Sequence, residues 1–361
     1  MARWLAWTAT VTLLAATAGC GDDFEPPAAP DRGVIGLAMP TKASTRWIGD
    51  GENMVKQFEL LGYRTTMQYA DDDVQRQVDQ IDDMVGAKVK ALVVGAIDGT
   101  ALKSVLGKAA QAGIPVIAYD RLIRDTGDVA YYATFDNFKV GVEQAGAIVD
   151  GLELRTARGP FNLELFAGSP DDNNATFFFN GAMSVLKPYL SAGKLVVRSG
   201  ETKFAEVATM RWDGAVAQKR MARLLRSDYG NARVDAVLSP YDGISRGILT
   251  ALEEAGYGAR GRALPVLTGQ DAELESVKLI AAGRQTETVY KDTRELAKVA
   301  VQMTNAVLTG EEPLVNDTEQ YHNGVEAVPT FLLQPVNVDR SNYKRVLVDG
   351  GYYTADQIAA S

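Results

Sequence analysis

A carboxylate and a guanidinium stand side by side at Asp120-Arg121, where the apolar run Ile114-Pro115-Val116-Ile117-Ala118-Tyr119 ends. A charged acceptor beside a planar, forked donor can grip neutral polyols. The carboxylate accepts from neighbouring hydroxyls, and the guanidinium donates to ring and hydroxyl oxygens. A surface salt bridge or a helix cap would use the same two residues. Position adds to the site reading. An apolar run of this length suits a strand buried on both faces, and in open α/β sheets ligands lie just beyond the carboxyl ends of such strands.

Similar polar clusters follow the other apolar runs. Met39 leads into a loop carrying Lys42, Arg46 and Trp47, and Ile97 leads into Asp98-Gly99-Thr100. Phe166 precedes Gly168-Ser169-Pro170-Asp171-Asp172-Asn173-Asn174, and a later loop reaches Arg211-Trp212. Leu238 runs into Tyr241-Asp242-Gly243, Leu267 into Gly269-Gln270-Asp271, and Val289 into Tyr290-Lys291-Asp292. Taken singly, Asp242, Asp271 or Asn173 can simply cap the next helix. As a set with Trp47 and Trp212 they suit a sugar, whose hydroxyls need charged partners and whose C–H faces need a flat platform. Core packing is the alternative for both tryptophans, but each adjoins an arginine at the start of a helix. Phe177-Phe178-Phe179 reads as helix packing beneath the site.

The elements that must position these residues alternate. Strands are expected at 34–39, 63–69, 91–97, 114–120 and 129–134, with helices at 47–61, 74–85, 102–112 and 140–152. The alternation then starts afresh, with strands at 161–166, 195–199, 236–239, 266–269 and 287–290. Helices at 174–186, 212–225, 243–255 and 274–282 lie between them, and a long helix at 293–308 precedes a strand at 330–333. This is the signature of parallel βαβ units, occurring twice. The fold class is therefore α/β, with two Rossmann-like lobes and a cleft between them. A chain of 361 residues, 46% of them hydrophobic, is long enough to bury both cores.

Composition excludes several functions. The net charge of −9, with no Lys/Arg-rich run, argues against nucleic acid. A single His322 and a single Cys20 leave no His/Cys zinc site and no Cys–His nucleophile. His322, in Tyr321-His322-Asn323-Gly324, reads as a solvated loop residue, which leaves a Ser–His–Asp triad without its base. Phosphate-binding glycine loops and a calcium loop are missing. No metal and no cofactor is expected.

The N-terminus reads as an address. Arg3 precedes an apolar stretch at 4–18, too short to span a bilayer but suited to a signal peptide. Thr17-Ala18-Gly19-Cys20 resembles a bacterial lipobox, with Thr17 where Leu is usual. Cys20 is then the lipidated first residue of the mature protein. An ordinary signal peptide would instead leave an unpaired thiol in an oxidising compartment. Residues 1–20 are thus expected to be a lipoprotein signal and 21–32 a tether.

The segments MPTKASTRW (39–47), YADDD (69–73), IPVIAYDRLIR (114–124), YYATFDNFKVG (131–141), GSPDDNNA (168–175), LSPYDG (238–243), GQDAE (269–273), YKDTRELAK (290–298) and VLVDGGYY (346–353) resemble the periplasmic sugar-binding proteins of ABC transporters. The likeness is to the branch of multiple-sugar-binding and xylose-binding members. It implies a type I periplasmic binding fold, with residues 33–136 and 292–330 in the first lobe and 137–291 and 331–361 in the second. Three crossings are implied, near 135–138, 290–293 and 329–334. It also implies ligand contacts from Lys42, Arg46, Asp120, Arg121, Asn173, Asn174, Asp242, Asp271 and Lys291, with Trp212 as the stacking face. Tyr241 stands where xylose-binding members carry Asn, so strict xylose selectivity does not carry over. The implied function is binding an aldose of the xylose, glucose, galactose or arabinose class and delivering it to a membrane permease, as a monomer in the cell envelope. Some relatives are receptor components for chemotaxis or sensor kinases, a role that can coexist with transport. A glycoside-processing enzyme using Asp120 and Asp271 would need one carboxyl with a raised pKa, whereas Arg121 and Lys291 would hold both ionised. A sugar-responsive repressor would need a DNA-binding helix pair where the signal sequence stands.

Overall fold

The computed structural model describes residues 31–259 and 261–359. The lipobox with Cys20 and the tether up to residue 30 lie outside the described residues.

The first lobe runs β1 (Val34–Met39), α1 (Arg46–Leu60), β2 (Arg64–Tyr69), α2 (Val74–Gly86), β3 (Ala91–Val94), α3 (Lys103–Gln111), β4 (Val116–Tyr119) and β5 (Tyr131–Phe135). The second lobe contains α4 (Asn137–Gly151), β6 (Phe161–Leu165), α5 (Asn173–Ser191), β7 (Leu195–Val196), the single turn α6 (Phe204–Val207), α7 (Gly214–Leu224), β8 (Ala236–Leu238), α8 (Asp242–Glu254), β9 (Val266–Leu267), α9 (Leu274–Ala281) and β10 (Glu287–Tyr290). The chain then returns to the first lobe as α10 (Thr293–Thr309) and β11 (Thr330–Leu333), and ends in the second with β12 (Val336–Asp339) and α11 (Ala355–Ala359).

The first sheet is parallel in the order β11-β5-β4-β3-β1-β2. Its side chains alternate between two cores. Ile35, Leu37 and Met39 join Ala91, Val93, Ile117 and Tyr119 against α1 and α10. Ala38, Leu92, Val94, Val116 and Ala118 face α2 and α3. With both faces covered, the strands read as continuous apolar runs. Each buried Ile or Leu is worth roughly 1.5–3 kcal/mol of burial. The second lobe repeats the plan in a sheet ordered β7-β6-β8-β9, with α4 and α5 on one face and α7 and α8 on the other.

Several details depart from the sequence reading, and the strand expected at 91–97 ends at Val94. The strand at 195–199 shrinks to Leu195–Val196, and that at 266–269 to Val266–Leu267. Beyond Leu267 the Thr268 hydroxyl accepts from the Ser239 N–H at 2.7 Å and donates to its carbonyl at 2.8 Å, so a side chain takes over the ladder. β12 pairs antiparallel with β10, from Glu287↔Asp339 to Tyr290↔Val336. Of its four residues only Val338 is fully buried, so no apolar run announced it. β11 pairs with β5 through Leu333↔Phe135, so the boundary expected at residue 330 falls inside a first-lobe strand. The crossings lie at Asp136, at Lys291-Asp292 and at Gln334-Pro335.

Candidate functional site

The carboxyl ends of both sheets face a cavity of about 500 Å³. Eight of the expected site residues line it: Arg46, Trp47, Asp120, Arg121, Asn174, Trp212, Asp271 and Lys291.

Arg46 opens α1, where the positive end of the helix disfavours a cation. Its compensation is a set of carboxylates. Nε donates to Asp50 Oδ2 at 2.9 Å, one helical turn on, and Nη1 to Asp120 Oδ2 at 2.9 Å. Asp271 Oδ1 lies 3.7 Å from Nη1. Asp50 is fully buried and also accepts from the Tyr119 hydroxyl at 2.6 Å. The guanidinium is stacked on Trp47, 4.6 Å from its ring centroid, and that of Arg121 lies 5.2 Å from the same ring. Trp47 therefore carries the arginines, which is why it adjoins one.

Asp120 terminates β4 in the left-handed region, at φ 61°. Non-glycine residues pay for this conformation, which concentrates at functional sites. Its carbonyl is turned to accept from Tyr132 Oη at 2.6 Å, Thr134 Oγ1 at 2.9 Å and Asn174 Nδ2 at 2.8 Å. Asp271 has the same conformation at φ 87°, and Arg211 and Trp212 follow at 55° and 57°. Lys291, on the second crossing, lies 3.1 Å from Asp271 Oδ1 and 3.7 Å from Asp120 Oδ2. Burial opposes ionisation of Asp120, but Arg46, Lys291 and Arg121 outweigh it and hold its carboxyl at about 2. Burial lifts Asp50 to about 6 against Arg46 and the Tyr119 hydroxyl, with Asp120 adding a smaller repulsion.

Other side chains frame the cavity. Arg121 Nε pairs with Asp172 Oδ2 of the opposite lobe at 3.0 Å, and Nη1 donates to the Ala96 carbonyl at 3.0 Å. The amide of Asn174 is likewise committed, to Asp120 and Asn137. The Trp212 ring packs against Gly168, where an added Cβ would come within 2.0 Å of it. Phe178 and Tyr241 meet that ring edge-on at 6.2 Å.

Three expected residues do not line the cavity. Lys42 is exposed, with its ammonium 4.9 Å from the Tyr69 ring centroid. Asn173 is the first residue of α5 and only its neighbour Asn174 reaches the wall. Asp242 is wholly buried behind the wall, accepting from the Glu273 N–H, Gln285 and Thr288. Burial, with Glu273 nearby, raises its carboxyl well above the usual range. Strand-end position marked the right loops but not which of two adjacent residues turns inward. Missed were Ser44, Asp172, Phe178, Arg211, Tyr241, Arg246 and Gln270. Asp172 and Gln270 sit beside expected residues, and Phe178 was hidden in a triplet that also packs Phe177 on Tyr321 and Phe179 on Phe204. His322 is exposed in its loop.

Five buried polar atoms of the lining have no hydrogen-bond partner in the protein: Arg46 Nη2, Arg121 Nε, Trp212 Nε1, Asp271 Oδ1 and Gln270 Oε1. Lys291 is near Asp271 Oδ1 but poorly aligned with it. Three donors and two acceptors converge on one cavity beside an aromatic face. Buried groups of this kind are costly unless bonded, so the arrangement fits a ligand that both donates and accepts. Among the described residues no His/Cys/Asp/Glu group is placed to hold a metal, and no helix is long and apolar enough to cross a membrane.

A family model described as a periplasmic binding protein domain matches residues 35–312. The chain belongs to the periplasmic binding protein family. This periplasmic binding protein is 59% identical over 349 residues to the multiple sugar-binding periplasmic receptor ChvE of Rhizobium radiobacter, covering 96% of this chain and 99% of that protein. It is 36% identical to the D-xylose-binding periplasmic protein of Escherichia coli (strain K12), over 90% and 92% of the two chains. An ABC transporter solute-binding protein from Clostridium phytofermentans, solved with bound β-D-glucose, matches with a TM-score of 0.86 at 47% identity, covering 90% of this chain and 99% of that one. The two lobes and their cleft are those of a type I periplasmic binding protein.

Proposed function

We propose that the interlobe cavity binds an aldopyranose monosaccharide of the glucose, galactose, xylose or arabinose class. The protein is the sugar-binding component of an ABC importer in the cell envelope, and it delivers its ligand to a membrane permease. The supporting observation is the convergence of unpartnered donors and acceptors beside Trp212. A neutral polyol offers both halves of each hydrogen bond, which an anion or a cation does not. Asp120 and Asp271 accept from hydroxyls, Arg46 and Lys291 donate, and Trp212 covers one C–H face. Contacts come from both lobes, and Lys291 lies on a crossing, so ligand favours the closed arrangement. The protein binds rather than transforms its sugar. Asp120, held at about 2, stays ionised and cannot act as a general acid.

Titration calorimetry against a panel of aldoses tests this reading. Saturable one-to-one heat is expected with at least one of D-glucose, D-galactose, D-xylose and L-arabinose, and silence across the panel would exclude it. Gly168→Ala supplies an internal check. A methyl there displaces the Trp212 ring, and affinity should fall about tenfold, the order of one aromatic contact. An unchanged affinity would mean that Trp212 is not the stacking face.

The mature protein is anchored through a lipid on Cys20 and acts as a monomer. Mass spectrometry of its N-terminus decides the anchor: a diacylglyceryl adduct is expected, and a free thiol would refute it. A sensory partner, a chemoreceptor or sensor kinase, is compatible with the same closed form and is tested by pull-down with and without sugar.

A further inference from the structure

The lobes also touch beside the cavity, and one of these contacts joins the lining residues Ser44, Tyr241 and Arg246 to Glu273 behind them. This residue caps the start of α9, and its N–H donates to Asp242 at 2.9 Å, which fixes the loop. The residue is 6% exposed and lies outside the cavity wall. It accepts from Tyr241 Oη at 2.7 Å and Arg246 Nη2 at 2.6 Å, both in its own lobe. It accepts a third bond, at 3.0 Å, from Ser44 Oγ in the β1–α1 loop of the opposite lobe. Two same-lobe donors hold the acceptor still, so receiving Ser44 requires no rearrangement of the second lobe. Tyr241 also meets the Trp212 ring edge-on, at 6.2 Å and 85°. One side chain therefore joins the stacking face to the cross-lobe bond.

We infer that Glu273 is a positioning residue for ligand retention: Tyr241 and Arg246 aim its carboxylate at Ser44, and the resulting bond latches the closed lobes. The inference rests on the aldose reading of the cavity. Opening must break this bond, whereas the first encounter with ligand precedes it. The latch therefore slows sugar release and leaves capture unchanged. The carboxylate does not reach the cavity, so the ranking of sugars is set elsewhere.

Stopped-flow tryptophan fluorescence with D-glucose, on the mature full-length protein, tests the latch. Ser44→Ala, at a residue that also lines the cavity, should raise the off-rate about three- to tenfold, the range for losing one hydrogen bond. Glu273→Gln, outside the cavity, should raise the off-rate as much with an unaltered on-rate, since its amide turns a donor toward Arg246 or toward Ser44 and Tyr241. The double variant should be no faster than the faster single one, because both changes break one bond. The aldose ranking should survive Glu273→Gln. A wild-type off-rate in either single variant, effects that multiply in the double variant, or a reordered ranking in Glu273→Gln would overturn the latch while the aldose reading stands. No response of the wild type to any aldose would overturn both.

Discussion

Asp120→Asn is expected to lower aldose affinity about a hundredfold while the protein stays folded. Asparagine keeps the shape and tolerates the left-handed backbone that Asp120 adopts at φ 61°. What it loses is the charge shared by Arg46 at 2.9 Å and Lys291 at 3.7 Å, and one acceptor for sugar hydroxyls. Losing a hydrogen bond to a charged group and leaving cations less well compensated together cost about 3 kcal/mol. Calorimetry should show the loss with a nearly unchanged far-ultraviolet circular dichroism spectrum. Asp120→Ala is a poorer probe. It removes the acceptor but also strips a counter-charge from a buried cluster, so it should lower the melting temperature as well as binding.

Arg46→Met should have the largest effect on stability. It removes the cation that Asp50, Asp120 and Asp271 share, inside a site where Asp50 is fully and Asp120 almost fully buried. Breaking such a cluster costs about 3–5 kcal/mol near neutral pH. The pH dependence carries a sign. In the wild type Asp120 titrates at about 2, below its ordinary 3.8, so its contribution is present above about pH 4 and fades as pH falls toward 2. Asp50 titrates at about 6, above 3.8, so its contribution is full below about pH 4 and fades as pH rises through 6. Without Arg46 both carboxyls move up, and each ionises at growing cost as pH rises. The gap in melting temperature between wild type and Arg46→Met should therefore widen from pH 4 to pH 7. A constant gap would show that the arginine stabilises through packing alone.

Much of this architecture was legible because parallel strands buried on both faces write themselves as apolar runs, and Ile35, Leu37 and Met39 or Ala91 and Val93 have no other place to go. The rule that ligands lie at strand ends then gathered Arg46, Asp120, Trp212, Asp271 and Lys291 from loops far apart in sequence. The limits were physical too. Orientation within a loop depends on single backbone angles: Asp271 at φ 87° turns inward, while Asp242, equally acidic and at a strand end, is buried behind the wall. Cross-lobe pairs such as Arg121–Asp172 and Ser44–Glu273 depend on how the halves meet, which no local pattern records. β12 is an edge strand with one buried residue, so its pairing with β10 left almost no mark on the sequence.

The central claim is that a pyranose binds in the cleft against Trp212, held by Asp120 and Asp271. A crystal structure of the mature protein grown with D-glucose tests it most directly. Density for one sugar ring is expected, lying on the Trp212 face with separate hydroxyls within hydrogen-bond distance of both carboxylates. A cleft without sugar at saturating glucose, or a sugar bound away from these residues, would contradict the account.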